Sequence, residues 1–159
     1  MKTKTRKRIK KKWENLPRYF VDSSVFLELA FKQHRDKACV KFFNLVGFKY
    51  RIETSSIVLG EIVKAFTKVE DYKTKDELFL WLNDILERRK ISIHTVSKAC
   101  LPLSIDLLNE ESRIGPVDSL ILSSCIDTGC YSFVTLDSGF SESFGNNYGV
   151  RIINPSLSP

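Results

Sequence analysis

The sequence predicts an α/β fold in which a mostly parallel sheet is covered by helices on both faces. Short, continuous apolar runs rich in β-prone residues alternate along the chain with amphipathic helical stretches. No tight-turn dipeptide joins one strand-like run to the next, so each return to the sheet needs a helical crossover. Strands that read as unbroken apolar runs are buried on both sides, which is the pattern of a parallel sheet between helical layers.

Each element follows from local pattern. "RYFVD" (residues 18–22) reads as a short buried strand. Ser23 or Ser24 is then placed to cap a helix carrying Val25, Phe26, Leu29 and Phe31. A second helix is expected over Asp36 to Val46, stopped by Gly47, and "KYRIET" follows as a strand. Thr54, Ser55 and Ser56 open a helix with Val58, Leu59, Ile62, Val63, Phe66 and Val69 on one broad face. Thr74 and Glu77 have capping-box spacing and open another through Leu78, Trp81, Leu82, Ile85 and Leu86. "ISIHTV" is strand-like, and Leu103 to Glu111 is helical. Gly115 and Pro116 start a helix through Leu120, Ile121, Leu122 and Cys125 that ends near Gly129. "YSFVT" and "GVRII" complete the strands.

A chain of 159 residues suits a single domain with a proper core. The longest stretch without a charge is nine residues, Thr128 to Leu136, too short for a membrane-spanning helix of about 20. The basic start runs into "WENLPRYFVD" rather than an apolar segment, which speaks against a secretory leader. Charge is unevenly placed. Residues 1–18 hold nine Lys or Arg and one acid, whereas the rest carries a net charge of −2. The expected division is a basic, flexible tail over 1–17 and one domain over 18–159. The four cysteines form no CxxC pair and lie far in sequence from His34 and His94, so a zinc site is not expected. Cys39, Cys100 and Cys125 fall in helical patterns and read as small core residues, consistent with a reducing, cytoplasmic setting.

Four acids stand out. Asp22 closes the first strand and Asp137 directly follows the apolar run of "SFVTL". Both should therefore sit at the carboxyl edge of the sheet, where α/β proteins bind ligands. Helices that follow strands begin at the same edge. Glu61 lies about a turn and a half into the helix after "RIET", flanking its apolar stripe. Asp118 shares a helix face with Ile121, Leu122 and Cys125, so its charge points where burial is expected. Each acid also has an ordinary use, as a cap, a turn former, a first-turn helix acid or a solvated side chain. Four of them on one edge would repel one another and partly protonate unless a divalent cation neutralised them. Hard oxygen donors suit Mg²⁺ or Mn²⁺.

The motifs "YFVDSSVFL", "SSIVLGEIVKAF", "GPVDSLILSSC" and "FVTLDSGF", in that order, resemble the PIN-domain nucleases, with the small VapC-type toxins of toxin–antitoxin pairs the nearest in pattern. The resemblance spans about Arg18 to Ile153. It implies a three-layer α/β/α sandwich with a five-stranded parallel sheet and an acidic pocket that binds Mg²⁺ or Mn²⁺ and cuts RNA. Asp22, Glu61, Asp118 and Asp137 match the acidic quartet, and Ser23 and Thr135 match hydroxyl residues that accompany it. The chain departs from many relatives at Ser24, where asparagine is common, and at Gly139, where some carry another acid. Relatives of this type commonly dimerise, and an antitoxin protein often blocks the pocket.

The expected activity is hydrolysis of RNA phosphodiester bonds by a metal-activated water, with Ser23 or Thr135 orienting a carboxylate or touching phosphate. A PIN-fold module that binds RNA without cutting it is the main competing reading. A flap-type DNA nuclease would want more acids and DNA-gripping insertions. A phosphoacceptor domain would want a DxD-type loop, which "VDSSV" is not. The tail residues Lys7, Arg8, Lys10, Lys11 and Lys12 either hold RNA phosphates or serve only to solvate the chain.

Overall fold

The structure is a computed structural model that describes residues 13–156. Five strands form one sheet: β1 (Arg18–Val21), β2 (Arg51–Ser55), β3 (Ser92–His94), β4 (Ser132–Val134) and β5 (Arg151–Ile153). Their spatial order is β3-β2-β1-β4-β5 and every pairing is parallel. Seven helices are named among the described residues: α1 (Ser23–Ala30), α2 (Asp36–Asn44), α3 (Ser56–Thr67), α4 (Tyr72–Arg88), α5 (Cys100–Glu110), α6 (Pro116–Asp127) and α7 (Glu142–Asn147). The strand order reverses at β1, whose successor β2 lies on one side and β4 on the other. Asp22 leaves the sheet at that crevice, on the carboxyl edge where the sequence reading puts it.

Strand alternation sends successive side chains to opposite layers. Tyr19 meets Phe42 of α2, with ring centroids 6.2 Å apart. Phe20 turns the other way and stacks on Phe133 of β4 at 6.1 Å. Arg18 shares the Phe20 face and reaches the end of α6, where it donates to the carbonyls of Thr128 (2.9 Å) and Gly129. The core is aromatic and aliphatic, with Phe20, Phe26, Phe66, Phe133, Ile52, Ile62, Leu107, Ile121 and Leu122 all fully buried. All four cysteines are free and buried.

Several boundaries differ from expectation. The cap of α1 is Asp22 rather than Ser23 or Ser24, because its carboxylate accepts from both serine amides. The cap of α4 is Asp71 rather than Thr74. Its carboxylate takes the Thr74 amide (2.7 Å) and hydroxyl, which moves the start of the helix back to Tyr72. Helix α2 ends at Asn44, short of Val46, because the chain turns so that the Gly47 amide bonds the Tyr50 carbonyl at 2.7 Å. Helix α7 is unanticipated. Its sequence "ESFGNN" has weak helix propensity, and Ser141 starts it by accepting from the Phe144 amide. At α6 the expectation holds: Gly129, at φ +67°, takes the left-handed conformation that ends the helix.

Packing extends ahead of Arg18. Trp13 lies against Gly47 and is partly buried on the core, with the Lys90 ammonium 5.6 Å from the centre of its ring. The tail residues Lys7, Arg8, Lys10, Lys11 and Lys12 lie outside the described residues.

Candidate active site

Asp22 is the centre of a hydroxyl-rich cluster at the carboxyl edge of β1, and its side chain is only 4% exposed. One carboxylate oxygen accepts the Ser23 amide at 2.7 Å. The other accepts the hydroxyls of Ser24 (2.6 Å) and Thr135 (2.9 Å). Each of these hydroxyls spends its single proton on Asp22 and offers its lone pairs to the loop after β4. Ser24 Oγ accepts the Leu136 amide and Thr135 Oγ1 the Asp137 amide, both at 3.0 Å. The Asp22 carboxylate therefore sets the backbone that carries Asp137. Burial pushes the Asp22 carboxyl up from its usual range, against the opposing pull of these donors.

Glu61 joins through Ser23. The Ser23 hydroxyl donates to Glu61 Oε2 at 2.6 Å and lies 3.4 Å from Asp22, so one hydroxyl lies between two carboxylates. Glu61 is the sixth residue of α3, which Ser55 caps by accepting the Val58 amide. Asp118 is the third residue of α6 and folds back to accept the Gly115 amide at 3.2 Å. A Cβ at position 115 would come within 2.9 Å of that carboxylate, so glycine makes the return possible. Ile121, Leu122 and Cys125, on the Asp118 face, are fully buried as expected. Burial is the main reason the Asp118 carboxyl is raised to about 6, and the charges of Asp22, Asp137 and Glu61 raise it further. Asp137 is exposed, and its carboxylate accepts the Gly139 amide at 2.8 Å, closing the turn that Asp-x-Gly suggests.

Asp22, Glu61, Asp118 and Asp137 thus share one electrostatic neighbourhood, and among the described residues no salt bridge neutralises any of them. As the side chains stand, no group of three or more His, Cys, Asp or Glu among the described residues is arranged to hold a metal ion. The donor chemistry nonetheless fits a hard divalent cation, being carboxylate oxygen with uncompensated negative charge.

Sequence reasoning named Ser23 and Thr135 as helpers and treated Ser24 as a departure. Ser24 is in fact one of the hydroxyls that orient Asp22. The spacing of a hydroxyl two residues after a strand-ending aspartate was its only signal. Glu53 was missed as a buried acid. It is 3% exposed in β2 and is met by Arg18 (3.4 Å), Arg51 (3.8 Å) and His94 (3.1 Å).

Solved structures with the same architecture include VapBC2 from Rickettsia felis bound to a promoter DNA fragment. It is 21% identical, with a TM-score of 0.67 over 86% of this chain and 98% of that one. FitAcB from Neisseria gonorrhoeae is 16% identical, with a TM-score of 0.66 over 88% and 99%. VapC20 from Mycobacterium tuberculosis, described as a sarcin-ricin-loop-cleaving toxin, is 17% identical, with a TM-score of 0.58 over 84% and 98%. No curated protein matches the chain by sequence. Residues 19–143 match the PIN domain, well over half of the chain, and the protein belongs to the PIN-domain family.

Proposed function

We infer that this protein is a divalent-metal-dependent endoribonuclease, the toxin partner of a toxin–antitoxin pair, cutting RNA at the edge formed by Asp22, Glu61, Asp118 and Asp137. The observation that carries this reading is that four carboxylates share one edge with no salt bridge among the described residues to neutralise them; burial lifts Asp118 to about 6, and the charges of Asp22, Asp137 and Glu61 add to that rise. Family membership and the likeness to VapBC and FitAB proteins support it. Mg²⁺ or Mn²⁺ would be held by those four acids. When bound, it would supply an activated water and charge stabilisation at the phosphate. Asp22 is oriented for this by Ser24 and Thr135, and Glu61 by Ser23. With its carboxyl raised to about 6, Asp118 would hold a cation in its ionised form, so metal affinity would fall as pH drops below that value. An antitoxin covering this edge and a homodimer are the proposed assemblies.

Cleavage of a panel of tRNA, rRNA and flap DNA with Mn²⁺ tests the reading, using wild type beside Asp118→Asn. We expect RNA cleavage by the wild type alone, abolished by excess EDTA. Equal cutting by both proteins, or cutting that survives EDTA, removes the proposed chemistry. A second reading is an RNA-binding PIN module that does not cut, since as the side chains stand no three acids among the described residues are grouped to hold a metal ion. It is adopted if the wild type binds RNA but leaves the whole panel intact.

A further inference from the structure

Arg35 lines two cavities. The smaller, about 390 Å³, also touches Ser24 and Asp137 and so opens at the acidic edge. The larger, about 530 Å³, lies between α2 and β5. β5 is an edge strand, with β4 as its sole strand neighbour. One wall of the larger cavity is the α2 face bearing Lys37 and Lys41, four residues and about one turn apart. Arg151 of β5 stands in the opposite wall. With Arg35 these make four permanent cations, His34 lies beside them, and no acid is among the lining residues. None of the four makes an ion pair among the described residues. Arg35 instead donates to the Leu136 carbonyl at 3.1 Å, next to Asp137. The floor is aromatic: Tyr19 and Tyr50 have ring centroids 4.4 Å apart, and Tyr50 stacks on Phe42 at 4.9 Å.

This concentration runs against the rest of the chain, since residues 19–159 carry a net charge of −2. Four unpaired cations in one cleft repel each other until an anion arrives. A nucleic acid approaching four carboxylates needs an attraction that those carboxylates cannot supply. The cleft supplies it through Arg35, which also lines the cavity that reaches Asp137. Its volume falls within the range of ordinary ligand sites.

We propose that the cleft between α2 and β5 is a backbone-binding subsite for single-stranded RNA, holding phosphates beside the bond presented to the acidic edge. The ligand class rests on the nuclease reading above. The test is fluorescence anisotropy of a 5′-fluorescein-labelled oligouridine with the full chain in EDTA, across a salt series. Lys37→Ala/Lys41→Ala should weaken binding roughly tenfold and make the log–log salt slope shallower by about 0.7 per lysine lost. Arg151→Glu, on the other wall, should weaken it further. The charge-matched control Lys68→Ala/Lys73→Ala, on exposed residues away from the cleft, should change affinity less than about twofold. Thermal melts check that every variant is folded. Equal effects in cleft and control variants, no loss with Arg151→Glu, or no binding by the wild type each overturn the subsite. Mn²⁺ cleavage assays run alongside separate the two ideas. Binding without cutting removes the nuclease reading and leaves the subsite. Cutting with an unchanged Kd and KM in the lysine variant removes the subsite and leaves the nuclease reading.

Discussion

Asp118 binds a proton more readily in the folded chain than in the unfolded one, its carboxyl lying at about 6 rather than 3.8. The native state therefore holds the extra proton between these values, and stability falls as pH rises through them. The contribution is fully present below 3.8 and lost above about 6. Asp118→Asn removes the penalty, so the metal-free variant should be more stable than wild type at neutral pH by about 1–3 kcal/mol. That gain should fade as pH drops toward 3.8. Differential scanning fluorimetry across pH checks it, and added Mn²⁺ should raise the Tm of wild type but not of the variant. Thr135 is the other telling residue. Its hydroxyl serves both Asp22 and the Asp137 amide, so Thr135→Val should cost about 1–3 kcal/mol in urea unfolding despite its matched shape.

At the scale of elements, legibility tracked how local the cause was. The strands and α6 were readable because apolar runs, a proline at the helix start and a glycine at its end act through near neighbours. The caps of α1 and α4 were misassigned because aspartates just ahead of the favoured serines and threonine compete for the same amides. Helix α7 was invisible because it depends on packing against β5 rather than on propensity. Nothing local signals that Arg18 joins three elements, since its partners lie 35 to 111 residues away. It meets buried Glu53 of β2 and covers the carbonyls that end α6. Arg18→Met should therefore destabilise by about 3 kcal/mol, leaving a buried carboxylate with less compensation. Arg18→Met/Glu53→Met should lose less than the two single changes summed, which a urea-denaturation double-mutant cycle measures.

Across the whole molecule, the edge that carries Asp22 and Asp137 was readable because a parallel sheet sends its strand ends to one side. Ser23 and Thr135 were legible as accompanying hydroxyls through the resemblance, but the part of Ser24 in orienting Asp22 was not, since it depends on rotamers chosen by packing. Charge separates two parts of the chain, with the basic excess concentrated in residues 1–18. Deleting residues 1–12 should reduce RNA affinity with a shallower salt slope, read by anisotropy. Strand β1, the second hydrogen-bonded neighbour of both β2 and β4, waits more than a hundred residues for β4. A chain still emerging from the ribosome thus carries Asp22 and Glu61 long before Asp118 and Asp137 exist beside them.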